Sequence, residues 1–176
     1  MTSLVWFRND LRMDDNPALR AACGESEEVH AVYIYSKNQI KLHNEASCKI
    51  EFMIANLKSL NKSLKTLNIP LTIINSDGMD NDPLIILDLI NERSISSIYW
   101  NNQFGVDEES RDREFRKLLK VNNINYSSYD AQVLFPAGTF KTGEGKPYSV
   151  FTPFKKRWIE NFNLDLLDIE FKYTPK

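Results

Sequence analysis

Five short strand-like segments, most of them apolar, alternate with helix-like segments along the first 130 residues of the chain. The strand-like segments are residues 3–7, 29–35, 71–74, 97–100 and 125–129. The first of them has no polar alternation, which is typical of a strand buried on both faces of a parallel sheet. Strands that alternate with helices predict a five-stranded, doubly wound parallel sheet with right-handed crossovers and helices on both faces. The alternation itself is compatible with two strand orders, 3-2-1-4-5 and 2-1-3-4-5.

Capping residues indicate where the helices begin. Asn16 can accept a hydrogen bond from a free amide at a helix start, and Pro17 needs no amide partner in the first turn. The same reasoning predicts helices at 17–23 after Asn16, 48–67 after Ser47, 83–93 after Asp82, and from the cap Asp107 to about Asn122. We expect Gly24 to end the first helix in a left-handed conformation. Residues 36–45 are polar and are predicted to form a loop.

Charged residues are concentrated in two places. The segment from Arg8 to Asp15 holds two arginines and three aspartates, which either neutralise one another in an ion-pair network or serve a ligand at the end of the first strand. Farther along, Glu109 with Arg113 and Asp112 with Arg116 have the i, i+4 spacing at which opposite charges attract along a helix. We predict both of these pairs on the solvent-facing side of their helix.

The composition limits the possible partners. The chain has 22 basic and 24 acidic residues and a net charge of −2, so it has no overall electrostatic footprint for nucleic acid. No segment approaches the roughly 20 consecutive apolar residues of a membrane span, and the amino terminus lacks the pattern of a signal peptide. We therefore expect a cytoplasmic monomer without a membrane partner, in which Cys23 and Cys48 are free thiols.

The alternation of strands and helices stops after residue 130. An irregular segment rich in glycine and proline follows, and Thr152 before Pro153 predicts one more helix that ends near residue 162. We divide the chain into a core at 1–130, an irregular connection with a closing helix at 131–162, and a tail at 163–176. The tail has the character of a linker into a further domain.

No motif indicates a catalytic centre within the chain. The glycines at 143 and 145 lack the third glycine and the strand-to-helix context of a dinucleotide site, and no phosphate-loop string is present. The sequence contains two histidines, which are too few for a metal cluster. We predict neither catalytic residues nor a metal site.

The most informative polar residues follow strands. Asp107 and Glu108 lie at a predicted helix start, where carboxylates also stabilise the helix dipole. His43 lies in the segment that follows the second strand, so it could share the same edge of the sheet. A carboxylate can accept the two adjacent N–H donors of an aminopyrimidinone ring, and an imidazole can pack or hydrogen-bond beside it. These three residues would suit a pterin.

Two sequence blocks carry a family resemblance. Residues 7–19, Phe-Arg-Asn-Asp-Leu-Arg-Met-Asp-Asp-Asn-Pro-Ala-Leu, resemble the opening of the photolyase/cryptochrome family. Residues 147–154, Pro-Tyr-Ser-Val-Phe-Thr-Pro-Phe, are similar to the end of that family's amino-terminal domain. The resemblance implies a Rossmann-like sheet in the order 3-2-1-4-5. It is strongest to the antenna domain of class I cyclobutane pyrimidine dimer photolyases of the folate type.

The resemblance implies a cofactor and partners. In folate-type photolyases, a histidine after the second strand and an Asn-Glu pair at the start of the fourth helix hold the antenna, 5,10-methenyltetrahydrofolate. His43, Asp107 and Glu108 occupy the matching positions, and Asp107 departs from the family asparagine. The family's other folate contacts, FAD and damaged DNA belong to a helical domain that this chain does not include. The resemblance therefore implies a deoxyribodipyrimidine photo-lyase in full length and a non-catalytic piece here.

Several alternatives remain open at this point. A cryptochrome photosensor would share this domain, and a free-standing nucleotide-binding or flavin-binding α/β module would share its fold. The antenna could also be a deazaflavin that lies deeper, near Arg8, Lys37 and Asn101. The aromatic residues of the closing helix, Phe151, Phe154 and Trp158, either pack in the core or dock the helical domain.

Overall fold

A computed structural model describes residues 1–164 of the chain. Its centre is a five-stranded parallel sheet in the order β3-β2-β1-β4-β5. The strands are β1 Thr2–Phe7, β2 Glu28–Tyr35, β3 Leu71–Asn75, β4 Ser97–Asn101 and β5 Asn125–Tyr129. The helices are α1 Pro17–Glu25, α2 Lys37–Leu42, α3 Ser47–Lys65, α4 Asp82–Glu92, α5 Val106–Val121 and α6 Phe151–Asn161. The predicted fold class is confirmed, and the strand order is the one that the family resemblance implies.

The sheet separates two hydrophobic cores. Successive side chains of β1 point to opposite faces, so Val5 and Phe7 pack in one core while Leu4 and Trp6 pack in the other. Helices α1 and α3 cover the first face through residues such as Leu19, Leu57, Leu60 and Leu64. Helices α4 and α5 cover the second face through residues such as Ile86, Ile90, Phe115 and Leu119. Helices on both faces leave the carboxyl ends of the strands as the place where polar loops gather.

The helix boundaries follow the sequence signals only in part. Asn16 caps α1, because its side-chain oxygen accepts a hydrogen bond of 3.1 Å from the Leu19 amide. The prediction at Gly24 is wrong: α1 continues to Glu25, and Ser26 ends it in an extended conformation. The predicted loop at 36–45 is also wrong. The Ser36 hydroxyl accepts a hydrogen bond of 3.2 Å from the Gln39 amide and so starts the short helix α2.

Three further cap predictions are wrong by one or two positions. Ser47 is the first residue of α3 rather than its cap, and Asp82 is the first residue of α4. Asp107 lies inside the first turn of α5, which begins at Val106 after Gly105. The same residue types are common at helix caps and in the first helical turn, so the sequence does not separate the two positions.

We expect Asn16→Ala to lower the free energy of unfolding by more than about 2 kcal/mol, because the buried side chain accepts hydrogen bonds from the Leu19 amide and from Asn101 and donates to Asp10 and to the Arg12 carbonyl. Ser47→Ala is the matched control: it alters a residue predicted to be a cap that makes no capping hydrogen bond, and it should change stability by less than about 0.5 kcal/mol. Urea unfolding of the two variants measures the difference. Equal losses would contradict the assignment of the cap.

Helix α6 stands apart from both cores. None of its residues is buried, and Phe151 is 71% exposed, so the prediction of core packing is wrong for that residue. Phe154 and Trp158 are half-buried in a separate aromatic cluster. In this cluster the ring centroids of Phe135 and Trp158 are 5.4 Å apart and those of Phe140 and Phe154 are 6.2 Å apart. The predicted tail at 163–176 lies, from residue 165 onward, outside the described residues.

Candidate functional site

A cavity of about 670 Å³ opens at the carboxyl ends of β1 and β2. Residues of α2, of the first half of α3 and of the start of α5 line this cavity. Its lining mixes apolar and polar side chains, among them Trp6, Arg8, Tyr35, His43, Met53, Asp82, Glu108 and Arg111. This volume lies in the range of pockets that hold cofactors and other small ligands.

Two of the three predicted site residues line this cavity. His43 ends α2, and its Nε2 atom lies 2.8 Å from Gln39 Oε1. Glu108 lies in the first turn of α5, more than sixty residues farther along the chain, and lines the same cavity. Asp107 is exposed and is not among the lining residues. The structure therefore brings an imidazole and a carboxylate to the lining of one cavity, with Asp107 next to Glu108 in the chain.

Arg8 lies deeper in the cavity, where its side chain is only 3% exposed. Its Nη1 donates a hydrogen bond of 2.7 Å to Asp112 Oδ2, and its guanidinium lies 4.1 Å from the centre of the Trp6 ring. Burial, followed by repulsion from Arg111, lowers the Arg8 pKa to about 10, so the side chain is still a cation at neutral pH. Its Nε and Nη2 atoms are buried without a hydrogen-bond partner.

Asp112 is where the sequence interpretation of α5 fails. The sequence predicts Asp112 on the solvent side with Arg116, and this prediction is wrong. Asp112 is buried and accepts hydrogen bonds from both Arg8 and Arg111. Arg116 instead donates a hydrogen bond of 3.0 Å to Asn102 Oδ1. Spacing identifies residues that share a helix face, but it does not say which face the sheet covers. Here the buried cation of Arg8 requires a buried carboxylate.

Asp82 is a second buried carboxylate of the cavity that the sequence did not identify as functional. Its Oδ2 atom lies 4.0 Å from Arg111 Nη1, and its Oδ1 atom has no hydrogen-bond partner. Burial raises the pKa of Asp82, and nearby Ser76 and Arg111 offset this only in part. Within residues 1–164, four buried side-chain atoms lack a partner, and three of them belong to Arg8 and Asp82. These atoms have almost no solvent-accessible surface, so their charge is balanced by the neighbouring buried side chains rather than by solvent.

The loop after β1 is held by internal hydrogen bonds. Asp10 accepts from the Arg8 amide at 2.8 Å and from Asn101 Nδ2 at 2.6 Å, and Asn101 also donates to Asn16 at 2.8 Å. The ion-pair interpretation of the segment from Arg8 to Asp15 holds for Arg12, whose Nη2 lies 3.6 Å from Asp15 Oδ2, and is wrong for Arg8, which pairs with Asp112 outside the segment. Lys37 is exposed and does not line the cavity, so only Arg8 of the proposed deazaflavin group does.

The described part of the chain bears on the sequence predictions for metal, membrane and thiol sites. Among the described residues 1–164, no group of three or more histidine, cysteine, aspartate or glutamate side chains could hold a metal ion. In the same part of the chain, no helix is long and apolar enough to cross a membrane. Cys23 is a buried free thiol and Cys48 an exposed one, and neither lines the cavity. The fold and the cavity define a doubly wound α/β domain with an open cavity at the carboxyl edge of its sheet.

The chain belongs to the DNA photolyase family, whose family model matches residues 3–174. It is 37% identical over 160 residues to the deoxyribodipyrimidine photo-lyase of Escherichia coli K12, an alignment that covers 90% of this chain and 34% of that protein. The chain therefore spans about a third of the length of the curated relatives it matches.

Solved structures show the same architecture. A bacterial class III photolyase from Agrobacterium tumefaciens superposes on this chain with a TM-score of 0.72 at 28% identity. The superposition covers 92% of this chain and 32% of the photolyase chain. A Synechocystis cryptochrome superposes with a TM-score of 0.79 at 23% identity and covers 99% of this chain and 36% of that one. The second similarity concerns the fold alone.

Proposed function

We propose that this chain is the antenna domain of a deoxyribodipyrimidine photo-lyase that repairs cyclobutane pyrimidine dimers in light. Membership of the DNA photolyase family supports the class of enzyme. The observation that carries the antenna role is the cavity of about 670 Å³ lined by both His43 and Glu108. The proposed ligand is 5,10-methenyltetrahydrofolate, held at the rim of this cavity.

Each rim residue has a distinct part in this proposal. The Glu108 carboxylate accepts the two adjacent N–H donors of the pterin ring, and His43 packs or hydrogen-bonds beside the ring. Asp107 has an exposed carboxylate where the family resemblance implies an asparagine, so it supplies no amide donor. When bound, the folate supplies light absorption and energy transfer to FAD. The residues of this chain only hold and orient it.

FAD and DNA are assigned to the part of the longer relatives that follows this chain. The exposed aromatic and aliphatic side chains of α6, including Phe151 and Ile159, would dock that helical domain. The net charge of −2 agrees with a domain that does not itself carry the phosphate-binding surface. A cytoplasmic location fits this role in DNA repair.

The purified 176-residue chain is expected to leave cyclobutane dimers unrepaired under near-ultraviolet light. The physical reason is that its described residues form a ligand-binding cavity without the flavin domain that donates the electron. Quantifying dimers in irradiated oligonucleotides, with an intact photolyase as the positive control, measures this. Light-dependent loss of dimers with the chain alone would contradict the proposed division of labour.

The ligand itself is tested by titration. Absorbance and fluorescence of the chain are followed while methenyltetrahydrofolate, FMN or ATP is added in separate experiments. Saturable binding of the folate in preference to the two nucleotides supports the antenna role. Tight binding of ATP without the folate would favour a free-standing nucleotide-binding module and would overturn the proposal.

A deazaflavin in the deeper part of the cavity is the second candidate. The guanidinium cation of Arg8 in the cavity lining favours it, because a ring carbonyl that entered beside it could accept a charge-assisted hydrogen bond. The absorption spectrum of the cofactor retained by the full-length protein separates the two chromophores, since they absorb at different wavelengths. Arg8→Met should weaken retention of a deep ligand much more than retention of a ligand held at the rim.

A further inference from the structure

Gly105 lies directly against the carboxylate of Glu108. A Cβ atom added at residue 105 would lie 2.7 Å from Glu108 Cδ, 3.3 Å from Oε1 and closer still to Oε2. The Glu108 side chain therefore folds back from the first turn of α5 over the residue that precedes the helix. Only a residue without a side chain leaves that space open.

The backbone conformation does not require a glycine at residue 105. Gly105 has φ −75° and ψ 153°, an extended conformation that any residue can adopt. Glycine is also not the best helix cap, since serine, asparagine and aspartate are better, and Gly105 has no side chain with which to make a capping hydrogen bond. The feature that distinguishes glycine at this position is the space it leaves for the carboxylate.

We propose that Gly105 is a positioning residue for Glu108: it sets where the carboxylate lies on the rim of the cavity. This inference rests on the proposed function, in which Glu108 binds the ligand. A side chain at residue 105 would push the carboxylate off the backbone and away from its present place on the rim. Because the displaced group is the far end of a flexible side chain, the fold can accommodate the change while the carboxylate cannot stay where it is.

Two substitutions distinguish the steric effect of a Cβ atom at residue 105 from its effect on helix capping. Gly105→Ala adds a Cβ and is a poorer helix cap, whereas Gly105→Ser adds the same Cβ and is a better one. Both are expected to raise the Kd for methenyltetrahydrofolate by about tenfold, the loss expected when a charge-assisted hydrogen bond is misplaced. Only Gly105→Ala should lower thermal stability. If Gly105→Ser binds the folate like the unmodified chain, the proposal is overturned.

The background variant Glu108→Ala completes the test. Without the carboxylate, a Cβ at residue 105 has nothing to displace, so adding Gly105→Ser to Glu108→Ala should leave the Kd unchanged. A further loss of affinity in that background would show a structural effect and overturn the positioning role. If Glu108→Ala alone leaves the Kd unchanged, the proposed folate site itself fails. If Glu108→Ala weakens binding and Gly105→Ser does not, only the role of Gly105 fails.

Discussion

Replacing Asp112 with alanine is expected to destabilise the domain by about 3–5 kcal/mol, the largest effect that the structure predicts for a single charged residue. The Asp112 side chain is 3% exposed and forms ion pairs of 2.7 Å with Arg8 and 2.9 Å with Arg111. Its removal leaves two buried guanidinium groups without this counter-ion. The nearest other carboxylate to Arg111, that of Asp82, is 4.0 Å away and has a raised pKa.

Glu114→Ala on the same helix is the control for Asp112→Ala. Glu114 pairs with Lys117 at the surface, and such exposed pairs contribute less than about 1 kcal/mol. Urea unfolding followed by circular dichroism compares the two losses. Adding Arg8→Met to Asp112→Ala removes one of the unpaired cations and should recover part of the loss. Similar destabilisation by Asp112→Ala and Glu114→Ala would contradict a buried ion-pair network.

Replacing Glu108 with glutamine is expected to raise the Kd for methenyltetrahydrofolate by about 10-fold to 100-fold. Glutamine keeps the length of the side chain but loses the charge and one of the two acceptor oxygens, so one ligand N–H faces an amide donor. Hydrogen bonds to charged groups contribute about 1.5–3 kcal/mol, which corresponds to this range of Kd. Fluorescence titration of the purified chain measures the change.

Glu109→Gln is the matched control for Glu108→Gln. Glu109 is the next residue in the same helix turn, is exposed and does not line the cavity. Glu109→Gln removes the same charge near the start of the helix, so both variants share the general electrostatic effect on the ligand. Equal increases in the Kd would mean that Glu108 acts only through its charge. In that case the proposed bidentate contact with the pterin ring is wrong.

The sequence predicts the residues at the rim of the cavity better than the residues in its deeper part. His43 and Glu108 follow strand ends, so a sequence pattern that locates strands also locates these residues at the carboxyl edge. Arg8 was recognised as a charged residue after β1, but its two free donors are visible only once its partner Asp112 is known. The sequence around Asp82 indicates only the start of a helix. Its burial depends on how α4 packs in the folded chain.

The sequence by itself determined the elements that depend on local chemistry. Short strand-like runs between helix-like segments located all five strands, and the pairing of Asn16 with Pro17 located the start of α1. Both signals work over a few residues, because side-chain alternation and capping hydrogen bonds join near neighbours. The same locality explains the errors at Gly24 and at 36–45, where neighbouring residues permitted more than one conformation.

Only the tertiary structure decided which polar groups became buried together. Arg8 and Asp112 are 104 residues apart, and no spacing rule connects them. Their contact exists because α5 packs near the end of β1, where the ring centroids of Trp6 and Phe115 are 5.3 Å apart, and a buried cation is tolerated there only beside a carboxylate. For the same reason Gly105, which reads as an ordinary loop residue, is distinguished only by the Glu108 carboxylate that occupies the space beside it.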